Sequence, residues 1–232
     1  MKITFNILLV FVTLFTGCQQ APRNLEVRNN PFSDQTKEWK VKLNYPVFSS
    51  SDPAINESCE AFNRQLRQFV AGLQDSLKTE AQKLFQDLAN SSISRPAWIC
   101  ELNVTDSVFM ATREYISLRL TVYTFMGGAH GITDFYAFNY DVKNRKQIDA
   151  SEITDTTATR TINRLLCANF RNPEHCFSTE PTLDLVSVIN FTPENVCFTF
   201  ARYSLGAYAC GSAEITVPRI DLGKIFLPGI SK

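Results

Sequence analysis

Tyr115 to Val142 reads "YISLRLTVYTFMGGAHGITDFYAFNYDV", and this stretch decides the fold. Ile116, Leu118, Leu120 and Val122 alternate with Tyr115, Ser117, Arg119, Thr121 and Tyr123, so each set lies on its own side of a β-strand. The run "DFYAFNYDV" alternates again. Between the two, Gly127 and Gly128 reach backbone angles closed to other residues and let the chain turn back on itself. Such a strand pair needs more strands beside it and a helix over its apolar side.

The helix lies upstream. Asp52 is a good N-cap and Pro53 suits the first helical position. Ile55, Cys59, Phe62, Leu66, Phe69, Leu73 and Leu77 then recur at steps of three or four, which predicts a long amphipathic helix. Before it, "WKVKLNYPVF" alternates and carries Pro46, so it reads as a first strand at a sheet edge. After it, "WICELNVT" puts Cys100, Leu102 and Val104 on one side of another strand. A second helix is expected over about 157–170, with Ile162, Leu165, Leu166 and Phe170 inward, and three strand-like runs fill the last third. The predicted class is α+β: an antiparallel sheet with a long helix and a shorter helix packed on one face.

The amino terminus points outside the cytoplasm. "MKITFNILLVFVTLFTGC" has an early lysine and an apolar run from Ile7 to Phe15, too short to cross a bilayer as a helix. Residues 1–17 therefore read as an export signal. The ending Phe15-Thr16-Gly17-Cys18 resembles the lipobox of bacterial lipoprotein precursors, which implies acylation of Cys18 and membrane anchorage by more than one chain. Gln19 after the cysteine favours the outer membrane of a two-membrane cell, with the domain facing the periplasm or the cell surface. Residues 18–36, polar and broken by Pro22 and Pro31, read as the lipidated cysteine with a flexible tether. Residues 37–105 read as an N-terminal helix and strand part, and 106–232 as a sheet-rich part packed with it into one globular unit.

Six cysteines remain: Cys59, Cys100, Cys167, Cys176, Cys197 and Cys210. An even set in an exported chain suggests up to three disulfides. Places on the predicted elements favour Cys59 with Cys100, Cys167 with Cys176, and Cys197 with Cys210. The CxxC spacing of zinc sites is missing, so neither metal nor cofactor is expected. Lysines plus arginines equal aspartates plus glutamates, 23 to 23, and no block of like charge marks a nucleic-acid surface.

The order of these pieces, with "YTFMGGAHGITDFYAFNYDV" followed by "FTPENVCFTFARYSLGAYACGSAEITVP", resembles the family called domain of unknown function 3298. That family is usually joined to a smaller domain of unknown function 4163. The resemblance covers about residue 37 to the end, and its most specific parts are Gly127-Gly128-Ala129-His130 and the Tyr203, Tyr208 and Gly211 cluster. It implies kinship with the extracytoplasmic lysozyme-binding domain of RsiV-type anti-sigma factors, with the companion of a peptidoglycan deacetylase, and with stand-alone lipoproteins. The cysteines are not part of that pattern, so their pairing does not carry over.

Two candidate surfaces follow. One is the glycine turn with His130 and its aromatic neighbours Tyr123 and Tyr136; the other is "YSLGAYACG" with Tyr203 and Tyr208. Tyrosine joins apolar area to a hydroxyl and suits protein or glycan recognition. His130 has a structural reading too, donating to a backbone carbonyl to lock the turn. Catalytic residues are not identified: only His130 and His175 exist, and a Gly-x-Ser-x-Gly elbow is missing. The expectation is a non-catalytic envelope module binding a lysozyme-like protein or a peptidoglycan fragment. A cell-wall hydrolase or deacetylase using His130 and a structural envelope component remain as alternatives.

Overall fold

The computed structural model describes residues 24–91 and 94–228. The export signal read over 1–17 and the acylation expected at Cys18 lie outside the described residues. The chain runs β1 (Glu26–Gln35), β2 (Trp39–Ser49), α1 (Pro53–Asn90), β3 (Cys100–Ala111), β4 (Tyr115–Phe125), β5 (Ile132–Asp141) and β6 (Lys146–Gln147). These strands form one sheet in chain order, antiparallel except for β2 with β3. The chain continues through α2 (Ala150–Ile153), α3 (Thr159–Asn169), β7 (Val188–Phe191), β8 (Asn195–Phe200), β9 (Ala213–Pro218) and α4 (Arg219–Leu222). Here β7, β8 and β9 make a second, three-stranded antiparallel sheet.

Asp52 does cap α1, accepting from the N–H groups of Ala54 and Ile55 and pairing with Arg113. The helix buries Cys59, Phe62, Leu66, Val70, Leu77, Ala81 and Phe85 against the larger sheet. Phe62 sits among the rings of Phe48, Phe138 and Tyr140. Asn63 clips the helix to β2 by accepting from the Phe48 N–H and donating to its carbonyl, at 3.0 and 2.8 Å.

The α+β class holds, but the last third builds a sheet of its own. It packs on the side of the larger sheet that α1 leaves free, and α3 covers its outer side with Ile162 and Leu166. The layers are therefore α1, large sheet, small sheet, α3, with the two helices on opposite outer sides. The boundary drawn at 105/106 falls inside β3, which belongs wholly to the larger sheet.

Polar groups join the two sheets. The Ser117 hydroxyl donates to Asn139 Oδ1 at 2.6 Å and accepts from the Phe191 N–H at 3.0 Å. Asn190 donates to the Leu118 carbonyl, and Asn139 to that of Ile189. Arg119 reaches Thr199 and Glu214 while its guanidinium lies over the rings of Phe109 and Phe135. Ser117→Ala strands the Phe191 N–H in a buried place and leaves Asn139 Oδ1 with only the longer bond from Asn190, at 3.4 Å, so we expect it to cost about 2 kcal/mol in urea unfolding. A loss below ~0.5 kcal/mol would mean that water or a shifted side chain replaces the hydroxyl.

Three expectations are corrected. Residues 26–35, read as tether, form β1; nearly every side chain in it is exposed, so it buries no face and has no apolar period to reveal it. With β1 outside it, β2 is not the sheet edge. Pro46 is tolerated because β2 pairs with β3 only as far as Leu43, beyond which β1 is its one neighbour. Pro31, lacking an N–H, now lies on the true edge strand.

The cysteine pairing is the third correction. The disulfide joins Cys176 to Cys210, while Cys59, Cys100, Cys167 and Cys197 are free. Cys59 belongs to the first turns of α1, whereas Cys100 feels Glu80 and follows Trp98, which packs on Phe85. From 59 to 80 the helix rises about 30 Å, far beyond the reach of a disulfide. Cys197 instead faces Thr216 on β9, at 3.8 Å, well along the strand from Cys210.

Burial pushes the Cys59 thiol up to about 11 and raises Cys100 and Cys197 as well. Protons are then held more tightly in the folded state. Stability from these thiols is complete below their ordinary value near 9 and is lost as pH rises toward 11. A maleimide at pH 8 should label Cys167 alone in the folded domain, four thiols after unfolding, and six after unfolding with reductant. Labelling of Cys59 or Cys197 before unfolding would contradict this core.

Candidate recognition surface

The turn between β4 and β5 uses Gly128 for its backbone angle alone, φ 94° with open space around it, whereas Gly127 and Gly131 are required by close neighbours. Gly127 has φ 96°, and a Cβ there would stand 2.7 Å from the Trp98 ring. Gly131 is tighter: a Cβ would meet the Tyr123 ring at 2.5 Å and the Thr124 carbonyl at 2.6 Å. Trp98, itself packed between Phe85 and Phe125, and Tyr123 thus clamp the two ends of the turn. His130 is left projecting from it into solvent.

Residues 201–211, between β8 and β9, come back onto this turn. The ring of Tyr208 stacks on His130 at 3.8 Å and 20°, and its hydroxyl donates to the Gly131 carbonyl at 3.0 Å. Arg202 covers the other side of Tyr208, its guanidinium 4.4 Å from the ring centre. His130, Tyr208 and Arg202 form a three-layer column. Tyr203 leans against it, 5.5 Å from Tyr208 and with its hydroxyl 3.4 Å from His130 Nε2. With Nδ1–H directed at the Gly131 carbonyl, 3.2 Å away, Nε2 is the atom that accepts from Tyr203.

Tyr203 is 63% exposed and has φ 70°, a backbone state that tyrosine rarely adopts. The strain holds a largely exposed ring out in water, with only its edge against Tyr208 and its hydroxyl near His130. The disulfide lies at the base of the same segment. Gly206 runs against the Cys176 carbonyl, where a Cβ would come within 3.1 Å, and Cys210 ties residues 201–211 to the loop around Asn172.

The two segments singled out in the sequence therefore meet, although 73 residues separate His130 from Tyr203. Gly127 and Gly128 shape the turn, Tyr123 supports it beside Gly131, and His130, Tyr203 and Tyr208 form the surface. Tyr136 does not belong there. It shares the side of β5 that carries Phe138 and packs on Phe69 of α1, 4.8 Å away, under the opposite layer. Arg202, Gly131 and Trp98 went unrecognised in the sequence, since a lone arginine or glycine carries no pattern. His175 sits in its own turn beside the disulfide, and among the described residues no three His, Cys, Asp or Glu side chains are grouped as metal ligands.

Among the described residues no helix is long and apolar enough to cross a membrane. A family model described as "Deacetylase PdaC" matches residues 32–133, from the end of β1 into the start of β5. No curated protein matches the chain. Two crystal structures of DUF3298 family proteins are similar to it. One, from Bacteroides fragilis, is 16% identical with a TM-score of 0.63; the other, from Pseudomonas aeruginosa, is 18% identical with a TM-score of 0.52. In each case 89% of this chain aligns with 95% of the other. At these identities the likeness is one of architecture, and the chain has the fold of the DUF3298 family structures.

Proposed function

We propose that the chain is a non-catalytic binding module of the bacterial cell envelope, anchored through acylated Cys18, that takes glycan strands of peptidoglycan on the His130–Tyr203–Tyr208–Arg202 surface. The observation that carries this reading is Tyr203, a solvent-exposed ring held at φ 70° against the edge of a stacked column. Exposed aromatic rings bordered by hydroxyl and guanidinium donors suit a sugar ring, which offers C–H groups on its faces and hydroxyls on its rim. A protein partner would need about 800 Å² of surface with an apolar centre, more than this one exposed ring supplies. The match to the "Deacetylase PdaC" model agrees with a cell-wall setting.

Calorimetry tests this with the chain from residue 19 onward, titrated with soluble peptidoglycan glycan strands and, separately, with lysozyme. We expect saturable micromolar binding to the strands with no change in them by chromatography. Released acetate or shortened strands would move the assignment to a deacetylase or hydrolase. Binding of lysozyme alone would make it a protein-recognition module, and binding of neither would favour a structural envelope component.

A further inference from the structure

The side of the large sheet that α1 leaves free is covered by the small sheet only near Ser117, Arg119 and Asn139. Toward the 126–131 turn it is open. There the strand registers line up Ser33, Lys42, Asn103, Tyr123 and Thr133 as one row across β1 to β5. The residues between them along the strands, such as Val41, Leu102 and Val122, are buried beneath α1, so the row faces away from the helix. Ser33, Lys42 and Asn103 are exposed, and Tyr123 and Thr133 are half-buried. Four strand spacings of about 4.8 Å make the row about 19 Å long. That is the reach of a short oligosaccharide, well beyond a single sugar.

Both ends of the row are shaped. At the β1–β3 end lies a hollow of about 420 Å³, lined by Pro31, Phe32, Ser33, Lys42, Asn44 and Asn103. At the other end the Tyr123 ring touches Gly131, whose carbonyl receives the Tyr208 hydroxyl. The row thus runs from the hollow to Tyr123, which shares Gly131 as a neighbour with Tyr208 of the stacked column. Its charges are equally ordered. Lys40 on the same side is paired in register with Glu101, while Lys42 is paired with neutral Asn103 and Ser33. Cations therefore stand at the two ends, Lys42 and Arg202, with amide, phenol and hydroxyl groups between them.

Resting on the binding reading above, we propose that this row is the second half of the recognition surface. It is a track for a linear glycan bearing carboxylates, with Lys42 in the hollow holding a carboxylate several sugars away from the ring seated at Tyr203. An unbranched polymer laid across the strands meets a neutral polar middle and a cation at each end, matching acidic groups spaced along an otherwise uncharged chain.

The test is calorimetry with disaccharide, tetrasaccharide and hexasaccharide fragments of peptidoglycan glycan strands. In the unaltered chain, affinity should rise at least tenfold from the disaccharide to the longer fragments. Lys42→Ala, at an exposed position that leaves folding intact, should abolish that gain and leave disaccharide affinity unchanged, whereas Tyr203→Ala weakens every length. Reducing the carboxylates of the hexasaccharide to alcohols should reproduce the effect of Lys42→Ala. Affinity independent of length, or a gain that survives both Lys42→Ala and carboxylate reduction, would overturn the track while leaving the Tyr203 surface standing. If no fragment binds, the function proposed above falls as well.

Discussion

Replacing Cys176 and Cys210 together by serine should lower the stability of the domain by about 4 kcal/mol. The bridge closes a loop across a sequence separation of 34, and restraint of the unfolded chain over that length accounts for about this much. Strain in the folded state should not repay the loss, because the segment is already packed: Gly206 lies directly against the Cys176 carbonyl, and Asn172 brackets Phe177 through both its amide groups. The loss would appear as a lower urea midpoint. The surface should suffer with the fold, since residues 201–211 carry Arg202, Tyr203 and Tyr208. A loss below ~1 kcal/mol would show that the unfolded chain is restrained by other means, or that the pairing differs.

Tyr203→Gly should separate stability from recognition. Glycine adopts φ 70° without the penalty that tyrosine bears, so the variant should be at least as stable as the natural chain, by up to about 1 kcal/mol. Binding of glycan strands should nevertheless fall by about a hundredfold, because the exposed ring is gone. Tyr203→Ala should show the same binding loss without the gain in stability. A Tyr203→Gly chain that unfolds more easily would make the ring a structural brace, and one that binds normally would remove it from the surface.

Much of this architecture is legible in residue pattern, for reasons that also explain where the pattern ends. α1 announces itself through Asp52, Pro53 and the stripe from Cys59 to Leu77, because one side of it is buried and the other is wet. β4 and β5 show the alternation of half-buried strands. β1 shows nothing, since it buries no face: its backbone pairs with β2, and its side-chain ties, such as Asp34 with Lys78 of α1, are polar and leave no apolar period. Cysteine pairing depends on where distant loops meet, and nothing local in Cys176 or Cys210 reports that. The candidate surface was legible in its parts, as Gly127-Gly128-Ala129-His130 and Tyr203 to Tyr208, while their meeting was not. Even so, Tyr136 could have been excluded: alternation sets it with Phe138 and Tyr140, and Tyr123 belongs to the opposite side of the sheet.

Because the chain has only two histidines, His130 and His175, imidazole resonances give the most direct test of the recognition surface. ¹⁵N-labelled chain titrated with a peptidoglycan hexasaccharide should show the His130 ring signals moving to saturation with the calorimetric affinity, while those of His175 stay in place. Saturable binding that leaves His130 unmoved would contradict the assignment of this surface.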